Sequence, residues 1–358
     1  MPRPNLVGIG EVAEIAGVSK QAVTNWRMRY DHFPKALQQL QSGPVWSREA
    51  IEAWIKSFKG EETHVLSFIN LKGGVGKTTT AVAVAEILAQ EERKRVLLID
   101  LDPQTNATVT LISEDQWAEM DRDGRTIAQL FADRLNPQSS PIFDIEKAIA
   151  RRVSTINDGI ARLDLLPSSI RLIDLQDFIP MIALSGNFTA NPIEILRGAL
   201  EPILERYDYV IIDCPPSLGT VTKNGLRIST GYVIPTIPDI VSTWGIYQIV
   251  DNVHRFEHDI GRSIPAFGIV ATKVQKNNLH RRVMADLEAG RLGRFGDGTA
   301  AFPQPRLFPS PIPQTVAVAR GAEVDADFRT FKGKYGDAYE PLKSLTKEIR
   351  FACEKKKY

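Results

Sequence analysis

A chain of 358 residues, 43% apolar and 24% charged, suits one large and one small domain or two mid-sized ones, with enough apolar residues for a full core. A formal net charge of +1 excludes a polycation, so any contact with nucleic acid has to come from local patches. Two distant cysteines, Cys214 and Cys353, exclude a disulfide framework and a cysteine zinc cluster and fit a reducing cytoplasm. The opening residues carry no apolar signal-type run. No apolar stretch approaches the roughly 20 residues that span a bilayer.

In chain order, residues 1–58 predict a small domain of short helices. Helices over 11–16 and 20–29 flank a turn at Gly17-Val18, with Ser19 placed to cap the second. Ala13, Ile15 and Ala16 pack the first helix, and Val18 and Val23 pin the second, which is helix-turn-helix character. Lys20, Gln21, Thr24, Asn25 and Arg27 are then expected to project outward. Gln21 and Asn25 are base-reading types, and Lys20 and Arg27 suit phosphates. The alternative is a docking domain with a solvated basic face. Trp26 reads as core. A third helix, capped by Ser47, follows Val45-Trp46 and runs to residue 58, and residues 59–64 form a polar linker.

From residue 65 the pattern changes. Strands are expected at 65–70, 95–100, 162–166, 209–213, 231–235 and 266–272, with helical stretches between several of them. Alternating strands and helices predict an α/β domain over 65–358, a mainly parallel sheet covered by helices on both faces. Residues 113–155 are polar and partly helical and read as an insertion or lid.

The chemistry concentrates at three strand ends. Between the first strand and a helix over 78–90 stands Lys72-Gly73-Gly74-Val75-Gly76-Lys77-Thr78-Thr79. Glycines let backbone amides approach phosphate oxygens, and a helix N-terminus favours the anion. Lys77 suits the β- and γ-phosphates and the Thr78 hydroxyl suits Mg²⁺. The usual template asks for glycine where this chain has Leu71. Asp100 and Asp102 end one apolar strand and Asp213 ends another, where ligands of open α/β sheets sit. Two other signals carry less. His254 and His258 lie four apart on a helix without a third metal ligand, and Cys214 reads as a small packed residue.

The phosphate loop with its extra Lys72 resembles the deviant Walker loop of the ParA/MinD family of P-loop NTPases, and the resemblance runs from residue 65 to the C-terminal helix. It includes 163–169, which resembles a leucine-aspartate-leucine-x-proline-serine strand of that family, and 235–245, which falls on a family loop. The resemblance implies an ATPase using ATP and Mg²⁺. Lys72 would reach the partner's nucleotide across a homodimer, Asp102 would lie near the attacking water, and Asp100 would support the metal shell or its loop. Asp213 would be the outer-shell Mg²⁺ partner, and Thr272 and Pro313 would hold the adenine. Residues 43–47 and the following helix resemble the wing of a MerR-like winged helix-turn-helix domain.

Together these resemblances imply a DNA partition ATPase of the cytoplasm, associated with the nucleoid. Mg-ATP would drive homodimerisation and DNA binding, hydrolysis would reset it, and a ParB-type centromere-binding protein would be its partner. The N-terminal domain would read specific DNA and could repress its own operon. One departure stands out: Gln314 and Ala317 occupy places where relatives carry arginines. Non-specific DNA would then fall to Lys273, Lys276, Arg281, Arg282, Arg320, Lys332 and Lys334. The rivals are a MinD-like membrane-associated positioning ATPase, an ATP-switched regulator without hydrolysis and, more remotely, an amide-forming P-loop enzyme. The last helix, with Leu342, Leu345, Ile349 and a lysine-rich end, reads as docked on the domain rather than as a membrane anchor.

Overall fold

The computed structural model describes residues 5–29, 33–57, 63–136, 138–179, 191–291, 304–315 and 328–355. The chain divides into two compact units, Met1–Thr63 with Leu200–Asp208, and His64–Ala199 with Tyr209–Tyr358.

In the first unit β1 (Leu6–Gly8), α1 (Ile9–Ala16), α2 (Lys20–Arg29), β2 (Gln38–Leu40), β3 (Gly43–Ser47) and α3 (Arg48–Ser57) follow one another. The turn between α1 and α2 stands at Gly17, whose φ of 69° lies in the left-handed region that favours glycine. Val12, Val23, Phe33, Trp46, Ile51 and Trp54 form the core, and Trp26 packs on Trp54 with ring centroids 5.5 Å apart. Beside the expected helices and the wing read at residues 43–47, the unit holds a three-stranded antiparallel sheet in the order β1-β3-β2, whose strands β1 and β2 were not expected. Its strands are three to five residues long, too short to show an alternating pattern.

The outward reading of α2 also needs correction. Lys20, Gln21 and Arg27 are exposed and Thr24 is half-buried. Asn25 is only 8% exposed, and its Oδ1 accepts from Gln21 Nε2 at 3.3 Å. It stands three residues after the buried Ala22 and so shares the packed face of the helix.

The second unit contains β4 (His64–Phe68), α4 (Lys77–Gln90), β5 (Val96–Asp100), α5 (Asn106–Leu111), α6 (Glu114–Arg122), α7 (Ile127–Leu135), α8 (Ile145–Ala148), β6 (Leu163–Leu166), α9 (Leu172–Gln176), α10 (Ile195–Leu200), β7 (Tyr209–Asp213), α11 (Thr220–Ile228), β8 (Gly231–Thr236), α12 (Ile240–Ile260), β9 (Ala266–Ala271), α13 (Asn278–Glu288), α14 (Phe331–Tyr335) and α15 (Tyr339–Lys355). The strands form one parallel sheet in the order β6-β5-β7-β4-β8-β9, flanked by helices. Buried on both faces, β5 and β7 read as continuous apolar runs. The sheet order separates β4 from β5 by β7, which opens a crevice at their carboxyl ends.

Helix α4 is buried along nearly its whole length, which its run of alanines and valines permits. Glu86 at its centre is 0% exposed. Its Oε1 accepts from Lys334 Nζ at 2.7 Å and from Ser154 Oγ at 2.6 Å, and its Oε2 accepts from Tyr335 OH at 2.5 Å. Lys334, expected at the surface, is therefore a buried counter-ion and no DNA contact. Arg320 and Ala317 lie outside the described residues.

Helix α15 buries Leu342, Leu345, Ile349 and Cys353 in the core that also holds α4. No described residue of 113–155 lines the cavity over the phosphate loop. Ile127 and Phe131 are buried, Ile127 N–H donates to Pro167 O, and Trp117 Nε1 donates to Ser168 O, so the insertion packs beyond β6. No helix among the described residues is long and apolar enough to cross a membrane.

Candidate functional site

The phosphate loop leaves β4 at Phe68 and enters α4 at Lys77, one residue earlier than expected. Gly74 and Gly76 have φ of 71° and 81°, so both positions favour glycine. No side chain caps α4, which leaves its first amides free to bind an anion.

The loop is pinned at both ends. Asn70 Nδ2 donates to Pro235 O at 2.7 Å, while its Oδ1 accepts from Lys72 N at 2.9 Å. Thr272 Oγ1 lies 2.6 Å from Val75 O and 3.0 Å from Thr236 O. Thr272, 2% exposed, is thus a brace beneath the loop and not a wall of the cleft. Pro313 forms an isolated bridge with Val274, the residue after Lys273, and is not among the residues that line the cavity over the loop.

A cavity of about 270 Å³ opens over the loop. Gly73, Gly74, Gly76, Lys77, Thr78, Thr79 and Asp102 line it, as the sequence led us to expect. Gln104, Asn106, Pro216, Lys273 and Tyr335 line it too. These were missed because the sequence does not say which loops cover the phosphate loop. Lys77 is 6% exposed, and its Nζ donates to Lys72 O at 3.3 Å. Burial holds its pKa below the ordinary lysine value, and Asp213 and Asp102 oppose that shift.

The carboxylates are brought together by strand register. Asp100 stands directly opposite Asp213 on neighbouring parallel strands. Asp100 accepts from Thr108 N at 2.9 Å, Thr108 Oγ1 at 2.7 Å and Asp102 N at 3.0 Å, so it shapes the loop that carries Asp102. Asp102 in turn accepts from Gln104 N at 3.0 Å. Burial pushes the Asp100 pKa up to about 7 against the opposing bonds from Thr108. Asp213 is also pushed well above the ordinary range, first by burial and then by Asp100. The nearby Thr78 hydroxyl and Lys77 ammonium partly offset this. Neither makes a hydrogen bond of normal geometry to Asp213, whose two carboxylate oxygens are buried without a hydrogen-bond partner.

A buried carboxylate so left without donors, beside a hydroxyl that lines a phosphate-type cavity, fits a hard divalent cation or its waters. Thr78 and Asp213 are the residues that would hold Mg²⁺.

Lys72 does not point into the cavity. Its Nζ lies 3.1 Å from Asp239 Oδ2 and 2.8 Å from Ser242 Oγ. Asp239 caps α12, accepting from Ser242 N. The aspartate three residues before a serine at a helix start was a visible cap signal, but nothing local linked it to Lys72. Cys214 is buried and its thiol is pushed up by burial, which leaves it a packed residue.

The AAA domain family matches residues 63–265. The sporulation initiation inhibitor protein Soj of Bacillus subtilis is 31% identical over 226 residues, 63% of this chain and 78% of Soj. Cobyrinic acid a,c-diamide synthase of Mycobacterium smegmatis, solved with bound ADP and magnesium, is 28% identical. Its TM-score is 0.54, over 73% of this chain and 89% of that one. McdA of Cyanothece shares the fold, with a TM-score of 0.59 and 20% identity over 81% of this chain and 99% of its own.

Proposed function

The chain belongs to the AAA domain family of ParA/Soj-type P-loop ATPases, and from that premise we propose that it is a DNA partition ATPase switched by ATP and Mg²⁺. The observation that carries the reading is the meeting of Lys77, Asp102 and Asp213 at the uncapped N-terminus of α4. Lys77 and the free amides hold the β- and γ-phosphates. Thr78 and Asp213 would hold Mg²⁺, the first with its hydroxyl and the second with its buried, unpartnered carboxylate. Mg²⁺, when bound, neutralises charge that develops on the phosphates. Asp102, fixed by Asp100 and the Gln104 amide, orients the attacking water. Lys72 leaves Asp239 and reaches the nucleotide of a second copy, offsetting the repulsion of two triphosphates in a poorly screened site.

The closed dimer binds DNA of any sequence, and hydrolysis, stimulated by a ParB-type partner, releases it. The first unit presents Lys20, Gln21 and Arg27 to a specific duplex and represses its own operon. The protein works on the nucleoid, in the cytoplasm. A second reading, an amide-forming enzyme that uses the same nucleotide site, draws on the 28% identity to the diamide synthase. It gives the exposed basic face of α2 no role.

Phosphate release tests the proposal. The parent chain should turn over slowly and only with Mg²⁺. Lys77→Ala should lose ATP binding. Asp102→Ala should keep binding and lose turnover, by on the order of a hundredfold. Unchanged phosphate release from Asp102→Ala would remove that residue from the mechanism.

A further inference from the structure

Helices α11 and α12 leave a cleft of about 210 Å³ between them, and none of its lining residues lines the nucleotide cavity. Its floor is apolar: Leu226 and Val253 are each 1% exposed and Phe256 3%. Asn252, Phe256 and Asp259 stand at positions i, i+4 and i+7 of α12, so the face that carries the ring also carries two exposed polar groups. Lys223 of α11 lines the cleft too, and its Nζ stands 5.7 Å from the centre of the Phe256 ring.

Lys223 is half-buried, and among the described residues its ammonium makes no hydrogen bond and no ion pair. Arg255, which also lines the cleft, is already paired with Asp251. A cation held on an aromatic ring above an apolar floor lacks only its anion. A carboxylate placed there would be attracted more strongly than in open water.

We propose that this cleft is a binding site for a small organic acid, with the carboxylate on Lys223 and the apolar body on Leu226, Val253 and Phe256. The site is separate from the nucleotide cavity, and its test does not depend on the ATPase reading.

The charge count sets the class of ligand. One unpaired ammonium matches one carboxylate, and the exposed Asp259 in the same cleft disfavours a second negative charge. A phosphate would ask for several donors, such as the free amides at the start of α4. Here Asn252 Nδ2 donates to Gln248 O, and the interior turns of α12 have no free amides. The volume lies below that of pockets for drug-sized ligands, which limits the body to a short branched chain or one ring.

The test uses the full chain and three probes of one shape: 3-phenylpropionate, the neutral 3-phenylpropan-1-ol and the cationic 3-phenylpropylamine. Ligand-observed saturation-transfer NMR reads each affinity. The acid should bind with a Kd on the order of 1 mM. The alcohol and the amine should bind about fivefold more weakly or less well still. Lys223→Met keeps the stem of the side chain and should bring the acid down to the level of the alcohol, whereas Lys223→Arg should keep the preference. Asp259→Asn should tighten the acid by about twofold. Lys223 and Asp259 lie at the helix surface, so circular dichroism and nucleotide binding should stay as in the parent.

Equal affinity of the parent for the acid and the alcohol would leave the cleft an apolar hollow and overturn the proposal. An acid preference that survives Lys223→Met would do the same, because the carboxylate would then be held elsewhere. Tighter binding of the amine would hand the charge recognition to Asp259, and no binding of any probe would remove the site.

Discussion

Asp100 and Asp213 sit side by side in the sheet, both fully buried, with Asp102 close by. Burial raises both pKa values, that of Asp100 to about 7 with repulsion from Asp102 adding to it, and repulsion from Asp100 adds to the rise at Asp213. The sign follows directly. A carboxyl raised in the folded chain binds more protons there than in the unfolded chain. The free fold therefore gains from these groups at low pH and loses that gain as pH rises from the ordinary carboxylate range through about 7. A bound divalent cation favours the ionised forms, so it should expel protons. Titration calorimetry of Mg-nucleotide binding near pH 6, in buffers of different ionisation heat, should show release of about one proton. Affinity should rise as pH rises above the ordinary carboxylate range. Heats that do not depend on the buffer would mean that the carboxylates are already ionised in the free chain. That these aspartates end apolar strands was legible in the sequence. Their pairing was not, because register depends on which strands become neighbours, and β5 and β7 are brought together across more than a hundred residues.

At the scale of elements, the phosphate-loop helix is held to the C-terminal part of the domain by one charge pair without solvent. Glu86 of α4 is 0% exposed and Lys334 of α14 is 1% exposed, with Tyr335 and Ser154 completing the shell. Removing one member leaves the other charged and buried. Lys334→Met should therefore destabilise the fold by about 3–5 kcal/mol, read as a lower urea midpoint. Glu86→Leu together with Lys334→Met should cost much less, since replacing a buried pair by apolar groups is often nearly neutral. A neutral Lys334→Met would show that the pair does not hold the helix in place.

This pair explains why Lys334 was misassigned to the surface. In the local run Lys332-Gly333-Lys334 the two lysines look alike, and only the distant Glu86 distinguishes them. The parallel sheet and the phosphate loop were legible because each is written in a contiguous stretch. The small sheet of the first unit and the latch of Lys72 on Asp239 were not, the latter joining residues 167 positions apart.

Across the whole molecule, any contact with DNA has to be local, because the net charge is only +1. Lys273, Lys276, Arg281 and Arg282 are all exposed, on the turn after β9 and the start of α13. Four cations over one turn and one helix start are few for a monomer, but a dimer doubles the patch, and several phosphate contacts suffice for binding that weakens steeply with salt. The exposed Lys20, Gln21 and Arg27 of α2 belong to the other unit, and we propose them for a specific site only. An arbitrary duplex therefore isolates the nucleotide-switched mode. The most direct test of the central claim is the affinity of the full chain for such a duplex, by fluorescence anisotropy at two salt concentrations, with Mg²⁺ and either a non-hydrolysable ATP analogue or ADP. We expect binding with the ATP analogue that falls steeply with salt, weakens by about tenfold or more on combining Arg281→Ala with Arg282→Ala, and is lost with ADP. Equal binding with the ATP analogue, with ADP and without nucleotide would contradict an ATP-switched partition ATPase.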